Sequence, residues 1–79
     1  MLTRYLSAAL HRAEYKLLED GSFFGEIPGF DGVWAAASTL EACRDDLAEV
    51  LEKWLLFRVS RGLALPSVDG LELRINEVA

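Results

Sequence analysis

The apolar residues of this chain switch between two repeats, a period of two and a period of 3.6, and that switching limits the folds open to it. From Ala13 to Leu18, and again from Ser22 to Ile27, the pattern is strand-like. From Leu40 onward, Leu40, Cys43, Leu47, Val50, Leu51 and Trp54 keep one helical stripe. A further helical stripe, Leu2, Tyr5, Leu6, Ala9 and Leu10, predicts an amphipathic helix over residues 2–12. Helix, strands and helix within 79 residues point to an α+β domain with one core.

The turns fix how these pieces connect. Glu19-Asp20-Gly21 separates the first two strands, and a three-residue loop with Gly21 left-handed pairs Leu17 with Phe23, Tyr15 with Gly25 and Ala13 with Ile27. That register gathers the apolar side chains on one face, whereas a two-residue loop would place Glu26 among them. The other face carries Glu14, Lys16, Leu18, Ser22, Phe24 and Glu26. Pro28 ends the second strand, and Pro28-Gly29-Phe30-Asp31-Gly32 forms a turn-rich link to a short third strand, Val33 to Ala37.

Ser38-Thr39-Leu40-Glu41 reads as a capping box, with Ser38 as N-cap and Glu41 reaching back. The long helix should stop near Gly62, a left-handed C-cap, with Arg58 and Arg61 in its last turns. A turn at Asp69-Gly70 precedes a last strand, Leu71 to Asn76, in which Leu71, Leu73 and Ile75 alternate with polar residues. The predicted order is α-β-β-β-α-β. It gives a mixed four-stranded sheet with helix packing, the last strand parallel to the first after a right-handed crossover.

Charge narrows the partners. The net charge is −5, and no basic cluster exists that could neutralise a run of phosphates, so nucleic-acid binding is not expected. An acidic domain is steered toward basic proteins instead. A single cysteine, Cys43, forms no internal disulfide, and no apolar run is long enough for a membrane span; a cytoplasmic protein is expected.

Catalytic constellations are missing. His11 stands alone near the end of the first helix, where a surface role fits better than general-base work. Cys43 lies on the apolar stripe, where a thiol is inert packing. Glu19-Asp20 and Asp45-Asp46 lie on a turn and a solvated helix face, away from the strand ends where metal-binding carboxylates would converge. With no phosphate loop, nucleotide fingerprint or metal-ligand cluster, the expectation is a binding protein with no cofactor and no metal.

The long helix also changes character. Its first half has an acidic outer face, Glu41, Asp45, Asp46, Glu49 and Glu52. Its second half, Trp54-Leu55-Leu56-Phe57 with Val59, is apolar nearly all round and must be covered on more than one side. Trp54, Leu55, Phe57 and Val59 are therefore candidates for an interface between copies of the chain, with the N-terminal helix as the alternative cover.

Tyr15 to Asp20, followed by Gly21-Ser22-Phe23-Phe24-Gly25-Glu26-Ile27-Pro28-Gly29-Phe30-Asp31-Gly32-Val33, resembles the signature of HicB-type antitoxins. Ser38-Thr39-Leu40-Glu41-Ala42 resembles that family's next helix start, and Gly62 with Leu65-Pro66 its element after the helix. The resemblance spans about residues 13–76 and divides the chain into an N-terminal helix, 1–12, and a HicB-like domain, 13–79, forming one compact unit. It implies a partial ribonuclease-H-like fold without nuclease activity. It also implies a partner, a small basic HicA-like ribonuclease toxin whose active site the antitoxin covers. Phe24, Glu26, Asp31 and Trp34 are then the candidate partner-binding residues. Few residues follow the last strand, so the DNA-binding domain of many family members has no counterpart and direct DNA binding is not expected. The alternative is an orphan HicB-like oligomeric adaptor with no toxin partner.

Overall fold

The computed structural model describes residues 2–68, in the order α1 (Leu2–His11), β1 (Glu14–Leu17), β2 (Phe23–Glu26), β3 (Trp34–Ala37) and α2 (Leu40–Ser60). The three strands form an antiparallel meander in the order β1-β2-β3. The predicted turn at Asp69-Gly70 and strand over 71–76, and with them the four-stranded sheet, lie outside the described residues.

The β1–β2 register is the one that polarity selected: Tyr15 faces Gly25 and Leu17 faces Phe23. Leu18 and Ser22 close the loop, with Gly21 at φ 88° in the left-handed region. Asp20 accepts from the Ser22 amide at 2.9 Å and from its hydroxyl at 2.6 Å, bonds that hold its carboxyl below the usual carboxylate range.

Between β2 and β3 run two consecutive turns, closed by Phe30 N–H to Ile27 O and Val33 N–H to Phe30 O. Pro28 followed by Gly29 at φ 88° fits a type II turn, in which the proline presets one angle and only glycine takes the next without strain. The loop folds inward: Phe30 and Val33 are buried while Asp31 stays exposed.

The start of α2 departs from the predicted capping box. Thr39 is the N-cap, in extended conformation, and its hydroxyl accepts from the Ala42 amide at 3.1 Å. The third helical position is therefore Ala42, one residue past Glu41, and the reciprocal bond from Glu41 is not formed. At the other end Arg61 is the C-cap and Gly62 turns left-handed at φ 67°. Leu63 N–H reaches Arg58 O and Gly62 N–H reaches Val59 O, the paired bonds of a Schellman ending.

The core lies between the inner sheet face and α2. Cys43, Leu47, Leu51 and Leu55 repeat every four residues and are all buried. Leu40, placed on the buried stripe by its spacing, is exposed, and Trp54 is half-buried; Leu55 takes the inward position instead. Helix α1 packs on α2 through Tyr5 and Ala9, and the Tyr5 hydroxyl donates to the Pro66 carbonyl. Val68 is fully buried and makes an isolated β-bridge.

Candidate functional site

Because strand residues alternate between faces, the register decides which side chains share the outer surface of the sheet. Two cross-strand rows do so: Glu14, Glu26 and Trp34, and next to them Lys16, Phe24 and Ala36. Phe24 and Trp34 sit diagonally across this face with ring centroids 5.9 Å apart and planes inclined by 25°, a stacked pair. Trp34 keeps 55% of its surface in solvent, although it lies beside a strand that is half-buried. No described helix covers this face, since α2 packs on the inner side and α1 packs on α2.

All four residues picked from sequence meet here. Phe24, Glu26, Asp31 and Trp34 line one shallow depression of about 450 Å³, floored by the Ile27–Val33 loop and flanked by Glu14. Glu14 is not marked by residue type alone. Its signal is the register itself, which sets it directly opposite Glu26. Glu14, Glu26 and Asp31 place three carboxylates around the aromatic pair, with Lys16 as the cation of the same face.

The position of Asp31 is fixed from behind. Trp54 Nε1 donates to the Asp31 carbonyl at 2.9 Å, and its ring meets Phe30 at 5.2 Å. The Arg58 guanidinium lies 4.9 Å from the Trp54 ring and donates through Nε to Ala64 O at 2.8 Å. Trp54, chosen from sequence as an interface residue, thus fastens the loop to α2 within the chain.

The other interface candidates are divided by the helix. Leu55 is in the core, Val59 is half-buried, and Phe57 is 53% exposed beneath the Arg61 guanidinium at 5.0 Å. Leu56, passed over in the sequence selection, is 68% exposed, and Leu63 just past the helix is exposed as well.

A second depression, about 490 Å³, runs between α1 and the first half of α2 with Tyr15 at its wall. It mixes His11 and Arg44 with Glu41 and Asp45, so no single class of charge is selected, and the outer sheet face is the stronger candidate. His11 is exposed at the end of α1. Cys43 is fully buried with its thiol 3.6 Å from Ala35 O; burial, and then the nearby Asp46 carboxylate, push its pKa up, the opposite of what a nucleophile needs. Among the described residues no group of three His, Cys, Asp or Glu is placed to hold a metal ion, and no helix is long and apolar enough to cross a membrane.

The fold and the site can be set beside known proteins. TTHA0281 from Thermus thermophilus, known from a crystal structure, is similar at 42% identity with a TM-score of 0.90, over 96% of this chain and 95% of that one. No curated protein matches the chain. The profile of the UPF0150-like family matches residues 4–66, a span that takes in most of α1, the three strands, the whole of α2 and the clasped segment after it. The chain belongs to the UPF0150-like family.

Proposed function

We propose that this protein is an antitoxin-like binding protein that neutralises a small basic HicA-type toxin, an mRNA-cleaving ribonuclease, by covering its active site. The UPF0150-like family is associated with HicB-type and other antitoxin-like small proteins, which supports the reading at the level of the family. The single observation that carries it is the open sheet face, where half-buried Phe24 stacked on exposed Trp34 shares one depression with Glu14, Glu26 and Asp31. A protein that cleaves RNA must present a basic surface to phosphates. An acidic rim around an apolar centre is the complement such a surface binds, the rings supplying buried area and the carboxylates orientation. In this reading the chain acts by occlusion in the cytoplasm, with no catalytic step and no cofactor of its own.

The test is titration of the chain into an RNA-cleavage assay with the protein encoded beside it, if that neighbour is small and basic. Inhibition complete at one-to-one stoichiometry is expected. Glu26→Lys with Asp31→Lys should abolish it, and unchanged inhibition by that double variant would remove this face from the proposal. A second reading, an oligomeric adaptor of the same fold, draws on exposed Leu56, Phe57 and Leu63 at the end of α2. Light scattering that finds a monomer at micromolar concentration would count against it.

A further inference from the structure

The outer sheet face contains an arrangement that costs stability in the isolated chain. Glu14 and Glu26 are direct cross-strand partners on the same face, and like charges in that relation repel. Asp31 adds a third carboxylate at the rim, while Lys16, one row away, brings one positive charge among the three. Trp34 continues the Glu14–Glu26 row on the third strand, so the indole and the Glu26 carboxylate project from directly paired positions of adjacent strands, whose backbones run about 4.8 Å apart. Phe24 stacks on the indole and fixes its orientation while leaving more than half of Trp34 in water.

We infer that this face takes an arginine side chain of a basic protein partner, its guanidinium stacked on Trp34 and its N–H groups donating to Glu26 and Glu14. The inference rests on the antitoxin-like reading and names the chemistry of the contact. A guanidinium is planar, so it can lie on an aromatic face and still aim its edge donors sideways at carboxylates in the same row. An ammonium is a compact, strongly hydrated point charge and gains less from either contact. The incoming cation also relieves the Glu14–Glu26 repulsion, so part of the binding energy is strain already present in the free chain. The larger acidic area on α2, Glu41, Asp45, Asp46, Glu49 and Glu52, already holds cations of its own, Arg44 beside Glu41 and Asp45 and Lys53 against Glu49 at 3.6 Å.

The deciding experiment titrates ¹⁵N-labelled chain with blocked hexa-arginine and, separately, hexa-lysine peptides at physiological salt, following the Trp34 indole N–H assigned through Trp34→Phe. Arginine peptide should shift that indole and the β2 amides, and bind about tenfold or more tighter than the lysine peptide. The Glu14→Gln/Glu26→Gln double variant should keep a dispersed spectrum and lose that preference. Equal affinity for the two peptides, or shifts confined to the acidic side of α2, would overturn the inference. The RNA-cleavage assay run alongside separates the two levels. Full inhibition by the double variant removes the arginine contact and leaves the antitoxin reading standing. Arginine preference without any inhibition of the toxin removes the antitoxin reading and leaves a surface for another arginine-bearing partner.

Discussion

The ring of Tyr15 lies across Gly25, so close that a β-carbon on that glycine would stand 2.7 Å from Tyr15 Cε1 and 3.2 Å from the Cys43 sulfur. Gly25 is buried at the middle of the central strand, where any side chain would have to displace an aromatic ring or the helix behind it. Gly25→Ala is therefore expected to destabilise the fold by about 1–3 kcal/mol, the usual cost of overfilling a packed site. Urea denaturation measures it. The same substitution should cost much less in a Tyr15→Ala background, because the two residues share the clash.

The two adjacent hydroxyl residues before α2 should behave differently. Thr39→Ala removes the oxygen that accepts from the Ala42 amide and should cost about 1 kcal/mol. Ser38→Ala removes no cap bond and should stay within about 0.5 kcal/mol. Equal losses at the two positions would return the cap to Ser38.

Glu14→Gln or Glu26→Gln should raise stability in the free chain by about 0.2–1 kcal/mol, since either change relieves a directly opposed like-charge pair. The same substitutions should weaken binding to a basic partner. A gain in thermal midpoint that shrinks as salt is added would show that charge is the cause.

Alkaline pH should loosen the fold. Tyr5 and Cys43 have pKa values raised mainly by burial, and in Tyr15 the same effect outweighs the opposing influence of Arg44. Each of these groups ionises at lower pH in the unfolded chain than in the folded one, so the folded state binds more protons between the two values. The stability these three groups contribute is then constant below about pH 8.5, the unperturbed thiol value, and is lost as pH rises beyond it through the tyrosine range. Urea midpoints at pH 7.5 and 10.5 check the direction. A thiol reagent at pH 7.5 should label Cys43 only after denaturant is added.

Much of the sheet could be read in the sequence because the loop and the polarity agree. Glu19-Asp20-Gly21 leaves one register that collects Tyr15, Leu17, Phe23, Gly25 and Ile27 on one face, and the structure carries the β1–β2 pairs Tyr15–Gly25 and Leu17–Phe23. Phe24 and Trp34 were legible for the same reason, since alternation sends them outward together. Glu14 required the register to be carried across to the first strand, a step that residue type alone does not prompt. The second half of α2 was harder. Four consecutive apolar residues, Trp54 to Phe57, carry no phase, and only packing against the sheet decides that Leu51 and Leu55 turn inward and Leu56 and Phe57 outward. The cap was missed because Ser38 and Thr39 are both good N-caps, and the choice depends on where β3 releases the chain. The bond from Trp54 to Asp31 spans 23 residues and leaves no local trace at all.

The bond from Tyr5 to Pro66 bears on how the chain is completed during synthesis. Its partners are 61 residues apart, so α1 leaves the ribosome well before the carbonyl that fastens it. The β1–β2 hairpin needs only local contacts and can form while α2 is still being made. Until α2 emerges the apolar side of α1 is open to whatever the cell offers it, and until Pro66 follows Tyr5 has no carbonyl to meet. At about 5–20 residues per second, the 61 residues between them take about 3–12 seconds.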